Sequence, residues 1–225
     1  MIGISKLYCG TVEPSDALRY GRQSKEMPSH LLQFSRDKKP VVVWNITRSC
    51  NLKCVHCYAH ATDEAAKEEL STDEGKQLLD DLADFGTPVV LFSGGEPLVR
   101  KDLVELADYA VKRGMRAVIS TNGTLITRSA AQALKEVGLS YVGISLDGMR
   151  EVNDRFRGVK GSFDRAMAGI EHCQEAGIKV GLRFNINRMN AAEKPAIFDL
   201  LEERDIPRVC FYHLVYTGRG SDLIE

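Results

Sequence analysis

The chain has 225 residues, of which 44% are hydrophobic, and a formal net charge of −1. This composition suits one or two folded domains and excludes a disordered charged tail or a collagen-like repeat. Because no general positive field is available, we predict neither nucleic acid nor an anionic membrane as a partner.

The N-terminus and the cysteines bear on the compartment. No run of about 18 apolar residues occurs, and MIGISKLYCG lacks the basic and apolar stretches of a secretory signal. We therefore expect a cytoplasmic location. Three of the six cysteines lie close together, at Cys50, Cys54 and Cys57. In a reducing compartment such a group indicates metal or redox chemistry rather than a disulfide framework.

Residues 1–40 mix short apolar patches with Pro and charged residues, and we interpret them as an N-terminal extension of a domain over 41–225. Within that domain, apolar β-branched runs alternate with segments of helical period, which predicts βα units with parallel strands. The predicted strands cover residues 41–47, 89–92, 116–120, 141–146, 179–185 and 209–216. Six such units predict an α/β fold, a partial (β/α)6 barrel, with a doubly wound open sheet as the alternative.

Helix boundaries are marked by caps. Ser71 with Glu74, and Asn190 with Glu193, have the spacing of capping boxes. A glycine follows each of four helical segments, where a left-handed residue commonly ends a helix. These glycines are Gly86, Gly114, Gly138 and Gly177. One apolar stripe is expected to face the strands, and it consists of Leu78, Leu79, Leu82 and Phe85.

Polar and glycine-rich residues follow the first four predicted strands. They are Cys50, residues 94–96, residues 121–123 and Asp147. In barrels of this kind the chemistry gathers where the parallel strands end. We call this edge of the sheet, with the loops that follow its strands, the rim, and we predict the functional site there.

In CNLKCVHC a short loop can bring three thiolates around one metal centre. A 4Fe-4S cluster and a structural zinc ion each ordinarily take four protein ligands, so three leave one metal position open for chemistry. The alternatives are a zinc site completed by His56, His60 or a distant Cys, or three buried thiols.

The CxxxCxxC loop after strand one and Gly94-Gly95-Glu96-Pro97 after strand two resemble two motifs of the radical S-adenosylmethionine (SAM) superfamily. This resemblance implies a 4Fe-4S cluster on Cys50, Cys54 and Cys57. It further implies that SAM binds the open iron and yields a 5′-deoxyadenosyl radical, which abstracts a substrate hydrogen. We expect the Gly94–Gly95 backbone and Glu96 to meet the SAM ammonium.

The remaining SAM contacts are inferred from position in the family pattern. His56 stands where the family has an aromatic residue near the adenine. Thr121 and Asn122 could reach polar groups of SAM, and Ser145 and Arg183 could meet its carboxylate. No catalytic residue is assigned beyond these ligands.

Extended segments resemble the haem-biosynthesis branch of the superfamily, and among its families the didecarboxysiroheme deacetylases, which are related to the nitrite reductase haem cofactor maturases. These segments are ISKLYCGTVEPSDALRYGR, PSHLLQFSRDKKPVVVWN and HLVYTGRGS. The implied substrate is an iron tetrapyrrole that loses acetate side chains, and the implied partner is a one-electron reductant such as ferredoxin or flavodoxin. Four basic residues of the extension could pair with substrate carboxylates, namely Arg19, Arg22, Lys38 and Lys39.

Relatives of this branch continue into a Cys-rich region that binds an auxiliary cluster. No such group of cysteines follows Cys57, so we expect this chain to be the catalytic barrel alone. Two alternatives stay open: a peptide-modifying radical SAM maturase, and a metal-binding module without catalysis.

Overall fold

A computed structural model describes residues 39–64, 66 and 68–223. The strands are β1 (Val42–Thr47), β2 (Val89–Gly94), β3 (Arg116–Thr121), β4 (Tyr141–Ser145), β5 (Val180–Ile186) and β6 (Val209–His213). All neighbouring strands pair in parallel. The predicted N-terminal extension lies outside the described residues except at positions 39 and 40.

The helices connect the strands. They are α1 (Thr72–Phe85), α2 (Leu103–Lys112), α3 (Arg128–Glu136), α4 (Arg150–Arg157), α5 (Ser162–Glu175) and α6 (Lys194–Glu203). Within the described residues, short 3-10 helices cover Pro97–Val99, Ala191–Glu193 and Gly218–Leu223. No helix in the described part is long and apolar enough to span a bilayer.

The order of the strands decides between the two predicted architectures. The sheet runs β1-β2-β3-β4-β5-β6, in chain order. A doubly wound sheet would instead reverse its order at a switch point. Over the described residues, β1 and β6 are edge strands that do not pair with each other. The fold is therefore a partial (β/α)6 barrel, as predicted, with one open side.

The two faces of the sheet differ in burial. Phe92, Ile119 and Phe184 belong to the main core that the helices cover, and each is fully buried. Strand neighbours point to opposite faces, so alternate residues line the inner face of the barrel. Val43 on that face is 56% exposed and Ser145 is half-buried. The core thus lies between sheet and helices, and the inner face remains accessible.

All six predicted strands are present, and their ends differ from the predicted ends by at most three residues. The second strand extends to Gly94 because Gly94 still pairs with Thr47. The sixth ends at His213 rather than at 216. The capping box at Ser71 and Glu74 is present, and the four predicted glycines all have positive φ.

Two local predictions were wrong. Asn190 and Glu193 form no capping box, because tertiary partners take both side chains. The Asn190 amide donates to the Asp147 carbonyl, and Glu193 accepts from the Met149 N–H. Phe85 is 53% exposed rather than in the apolar stripe.

Lys39 is the one predicted carboxylate-binding residue that the structure describes. Its ammonium lies 4.1 Å from the centroid of the Phe85 ring, at the C-terminal end of α1. This position is at the opposite end of the sheet from the rim, so Lys39 lies away from the predicted site.

Candidate functional site

The cysteine loop, residues 48–63, folds back on itself directly after β1. The Cys50 N–H donates to the Thr62 carbonyl at 2.6 Å, and the Thr62 N–H donates to the Arg48 carbonyl at 3.3 Å. Cys50, Leu52 and Ala61 form a small apolar cluster, against which the other two loop cysteines pack. The three thiols predicted as ligands therefore belong to one compact loop.

Helix α4 is hydrogen-bonded to the cysteine loop through its C-terminal residues. The N–H groups of Lys53 and Val55 donate to the carbonyls of Arg157 and Phe156, at 3.1 and 2.9 Å. Gly158 ends α4 with φ of 69°, and a Cβ there would lie 2.4 Å from the Lys53 carbonyl oxygen. Only glycine permits this close approach.

A buried ion pair connects the loop to the end of β4. The Arg157 guanidinium, 8% exposed, lies 2.6 Å from Asp147 Oδ2 and donates to Cys54 Sγ at 3.7 Å. His56 Nε2 lies 3.3 Å from the same Asp147 oxygen. Burial lowers the pKa of His56 despite the adjacent carboxylate, so the ring is neutral at neutral pH. Arg157 was not predicted, because its place in a charged helix resembles solvated surface.

Burial favours the protonated form of two of the three loop thiols. Burial raises the pKa of Cys50 to about 11. Burial also raises the pKa of Cys54, against the opposing effect of the Arg157 guanidinium. The metal-free chain thus keeps these thiols protonated, and a metal must displace their protons. Arg157 then offsets part of the negative charge that the thiolates bring.

One proposed ligand of the zinc alternative has another partner. In the stretches that the structure describes, no three Cys, His, Asp or Glu side chains converge as ligands of a single ion would. His56, one proposed fourth ligand, directs its ring to Asp147 instead. A 4Fe-4S cluster needs no common point, because each thiolate binds a different iron atom.

Gly94 and Gly95 are required by packing against the start of the cysteine loop. A Cβ on Gly94 would lie 2.3 Å from the Thr47 carbonyl oxygen, and one on Gly95 would lie 2.2 Å from that of Ser49. The N–H groups of Gly95 and Glu96 donate to these two carbonyls at 2.8 and 2.9 Å. The motif after β2 therefore fixes the loop that carries the cysteines.

Glu96 is fully buried and joins the ends of β2 and β3. Its carboxylate accepts hydrogen bonds from the Thr121 hydroxyl at 2.7 Å, the Asn122 N–H at 2.7 Å and the Leu98 N–H at 3.0 Å. Burial raises its pKa, whereas these hydrogen bonds act in the opposite direction. The predicted residues after β2 and β3 thus form one hydrogen-bonded unit.

Asn122 extends that unit to the cysteines. Its side-chain amide donates to Asn51 Oδ1 at 2.9 Å and lies 4.0 Å from Cys50 Sγ. Its carbonyl oxygen accepts from the Thr124 N–H at 2.9 Å and from the Thr124 hydroxyl. The structure therefore brings the cysteine loop and the segments after β2 and β3 together at the rim, as predicted from the strand ends.

Ser145 and Arg183 lie side by side on the inner face, as register partners of β4 and β5. The Arg183 side chain extends across Gly143, where a Cβ would lie 2.5 Å from its Nε. Its guanidinium carbon lies 5.7 Å from the centroid of the Tyr212 ring. Arg183 is thus directed across the inner wall beside Ser145.

Buried polar atoms without a hydrogen bond are concentrated in this region. Among the described side chains there are six such atoms, and five belong to residues at or beside the rim. They are His56 Nδ1, Asp147 Oδ2, Arg157 Nε, Arg183 Nε and Asn185 Oδ1. Ion pairs compensate Asp147 and Arg157, whereas Arg183 Nε and Asn185 Oδ1 are buried and accept or donate no hydrogen bond within the described residues. Asn185 was not predicted, since its strand position alone carries no signal.

Residues 44–201 match the family model described as the Radical SAM superfamily. The chain belongs to the radical SAM superfamily. The cofactors of this superfamily are a 4Fe-4S cluster and SAM, and the loop of three thiols beside unpartnered polar atoms fits both.

Two curated relatives are similar to the chain over most or all of its length. Fe-coproporphyrin III synthase of Methanosarcina barkeri (strain Fusaro / DSM 804) is 74% identical over 225 residues, 100% of this chain and 56% of the relative. Pre-heme d1 synthase of Dinoroseobacter shibae is 44% identical over 183 residues, 81% of this chain and 45% of the relative. The chain thus spans about half the length of the curated relatives it matches.

One similar solved structure is Streptococcus suis SuiB bound to precursor peptide SuiA. It superposes with a TM-score of 0.68 and 22% identity, over 78% of this chain and 39% of SuiB. At this identity the likeness concerns the radical SAM fold alone.

Proposed function

We propose that this chain is the catalytic core of a haem-biosynthesis enzyme that removes acetate side chains from the iron tetrapyrrole didecarboxysiroheme. The observation that carries the proposal is 74% identity along the whole chain to a protein named for making Fe-coproporphyrin III. That name specifies an iron tetrapyrrole product. The substrate and the acetate loss are our inference from the resemblance of the extended segments.

In this proposal Cys50, Cys54 and Cys57 hold the 4Fe-4S cluster. When bound, the cluster and SAM together supply a carbon radical able to abstract a hydrogen atom from the substrate. The protein contributes position and charge: α4 holds the loop, and the buried Arg157 cation lies beside Cys54 Sγ. A one-electron reductant such as ferredoxin or flavodoxin would supply the electron.

SAM is proposed to bind along the rim between the cysteine loop and β5. Gly94, Gly95 and Glu96 would present backbone carbonyls and negative charge to its ammonium. Ser145 and Arg183, neighbours in register, would meet its carboxylate. The support for this part is the concentration of unpartnered buried atoms there.

Three other residues assigned to SAM contact protein groups in this structure. Thr121 and Asn122 are engaged with Glu96, and we propose that they orient its carboxylate. His56 uses Nε2 toward Asp147 and would offer only Nδ1 to the adenine.

The proposal is tested by anaerobic reconstitution with iron and sulfide, followed by SAM, dithionite and didecarboxysiroheme. We expect mass spectrometry to show deoxyadenosine together with tetrapyrroles that have lost acetate groups. The assay should be run on this chain and, in parallel, on a longer protein that contains it. Deoxyadenosine without any change in the tetrapyrrole, in both proteins, would contradict the assignment. Modification of an added peptide instead would favour the maturase alternative.

A further inference from the structure

The segment that follows β6 returns to the cysteine loop, 165 residues earlier in the chain. The Arg219 side chain donates from Nε to the Cys54 carbonyl and from Nη1 to the Ala61 carbonyl, each at 2.8 Å. The Arg219 N–H donates to the Cys57 carbonyl at 2.9 Å. One residue therefore binds the backbone of the loop at three points, two of them at cysteines.

The glycines on either side of Arg219 make this approach possible. Gly218 has φ of 57°, and a Cβ there would lie 2.4 Å from the Cys57 carbonyl oxygen and 2.6 Å from that of Tyr58. A Cβ on Gly220 would lie 2.5 Å from the Val215 carbonyl oxygen. Glycine is therefore required on both sides of Arg219, because a side chain at either position would clash with a backbone carbonyl.

The contact also joins the two edge strands of an open sheet. In the described residues β1 and β6 share no ladder, yet the loop after β1 and the segment after β6 meet at the rim. Helix α4 holds the loop near Lys53 and Val55, whereas Arg219 reaches the carbonyls of Cys54, Cys57 and Ala61. Without the Arg219 side chain, the loop would lose its attachments at the Cys54 and Ala61 carbonyls, and only the backbone hydrogen bond to Cys57 would remain from this residue.

We propose that Gly218-Arg219-Gly220 is a latch and that Arg219 is a positioning residue for the cluster. It fixes the backbone between the second and third cysteines so that their thiolates are preorganised for iron. Arg219 donates to carbonyls and contacts no thiol in the described structure, so it acts through the loop. The inference rests on the proposed cluster site and not on the tetrapyrrole chemistry.

The test compares the wild type with Arg219→Ala, Arg219→Lys and the control Arg128→Ala. Arg128 also donates two hydrogen bonds, but to the exposed Glu175 carboxylate on a different face. Two measurements apply: amide hydrogen exchange of the cysteine loop in the metal-free protein, and the rate of iron loss from the reconstituted protein to a chelator. The thermal unfolding midpoint of each variant is recorded alongside.

We expect Arg219→Ala to accelerate both loop exchange and iron loss by about ten- to a hundredfold, the scale of one or two lost charged hydrogen bonds. Arg219→Lys should fall between it and the wild type, because a single ammonium replaces a two-point fork. Arg128→Ala should match the wild type.

Loop exchange and iron loss unchanged in Arg219→Ala would overturn the latch, and so would Arg219→Lys equal to the wild type. If Arg219→Ala fails to fold, the lysine variant alone decides. Neither readout uses a tetrapyrrole, so a failed deacetylase assignment leaves this result interpretable.

Discussion

The two halves of the rim differ in how their polar groups are satisfied. On the side of β1 to β3, Glu96 accepts three protein hydrogen bonds and Asn122 contacts both Asn51 and Thr124. On the side of β4 and β5, Arg183 Nε and Asn185 Oδ1 are buried without a partner. The polar side chains of the first half are hydrogen-bonded within the protein, whereas these two atoms of the second half have no hydrogen-bond partner among the described residues.

This difference indicates which polar side chains stabilise the fold and which could bind SAM. Substitutions in the first half should damage the fold and the cysteine loop, since buried polar groups that lose partners are costly. Substitutions of Ser145, Arg183 or Asn185 in the second half should weaken ligand binding and leave the fold intact. The Asp147–Arg157 ion pair, at the end of β4, should instead stabilise the fold like the first half. Four substitutions separate the two kinds of effect, and they are ordered from the largest expected effect to the smallest.

The largest effect is expected from Cys54→Ala, which removes one of three cluster ligands. Iron and sulfide content after anaerobic reconstitution should fall to the background level, and SAM cleavage should be abolished. Cys173→Ala is the matched control, because Cys173 is fully buried in the core and distant from the loop. Normal iron content in Cys54→Ala would contradict the assignment of the three ligands.

Arg157→Met should destabilise the metal-free protein by about 3–5 kcal/mol, because it leaves the Asp147 carboxylate buried and uncompensated. Urea unfolding provides the measurement. Arg128→Met, which breaks an exposed pair with Glu175, should cost about 1 kcal/mol or less. Equal costs for the two variants would show that the pair at the rim contributes no more than a surface pair.

Glu96→Gln should cost about 1–3 kcal/mol of stability, since an amide nitrogen would then face one of three donors. We also expect weaker SAM binding while the cluster still assembles. Denaturation of the metal-free protein and SAM titration of the reconstituted one measure the two effects separately. Unchanged SAM affinity would remove Glu96 from the proposed SAM site and leave it a purely structural role.

Ser145→Ala should have the smallest effect on the fold, within about 0.5 kcal/mol, as for an ordinary partly exposed position. SAM affinity should nevertheless fall by roughly two- to tenfold, the scale of one hydrogen bond. Isothermal titration of the reconstituted protein measures it. If the free energy of unfolding fell by more than the free energy of SAM binding, the proposed difference between the two halves would be contradicted.

Sequence-based prediction succeeded where the pattern lies within a few neighbouring residues. Strand runs and the Ser71–Glu74 cap each lie within one short window, and each predicts its feature correctly. The cysteine spacing is equally local, and it indicates the superfamily that the family model matches. Arg157 and Arg219 were missed because their partners on the cysteine loop lie 103 and 165 residues away. A single sequence contains no signal for such pairings, and an arginine in a charged helix resembles solvated surface.

The same limit explains the failure at Asn190. Its spacing to Glu193 satisfies the local rule for a capping box, but Asn190 is fully buried and bonds the Asp147 and Asn185 carbonyls. Tertiary hydrogen bonds in a buried site outweigh a local cap. Gly94 and Gly95 were predicted by motif, while their packing against Thr47 and Ser49 became visible only in three dimensions.

Three thiolates are proposed to hold a 4Fe-4S cluster whose fourth iron is open to SAM. The most direct measurement is electron paramagnetic resonance of the reduced, reconstituted protein before and after addition of SAM. We predict a signal from one 4Fe-4S cluster per chain that changes when SAM is added. No iron-sulfur signal, or a signal that SAM leaves unchanged, would contradict the account.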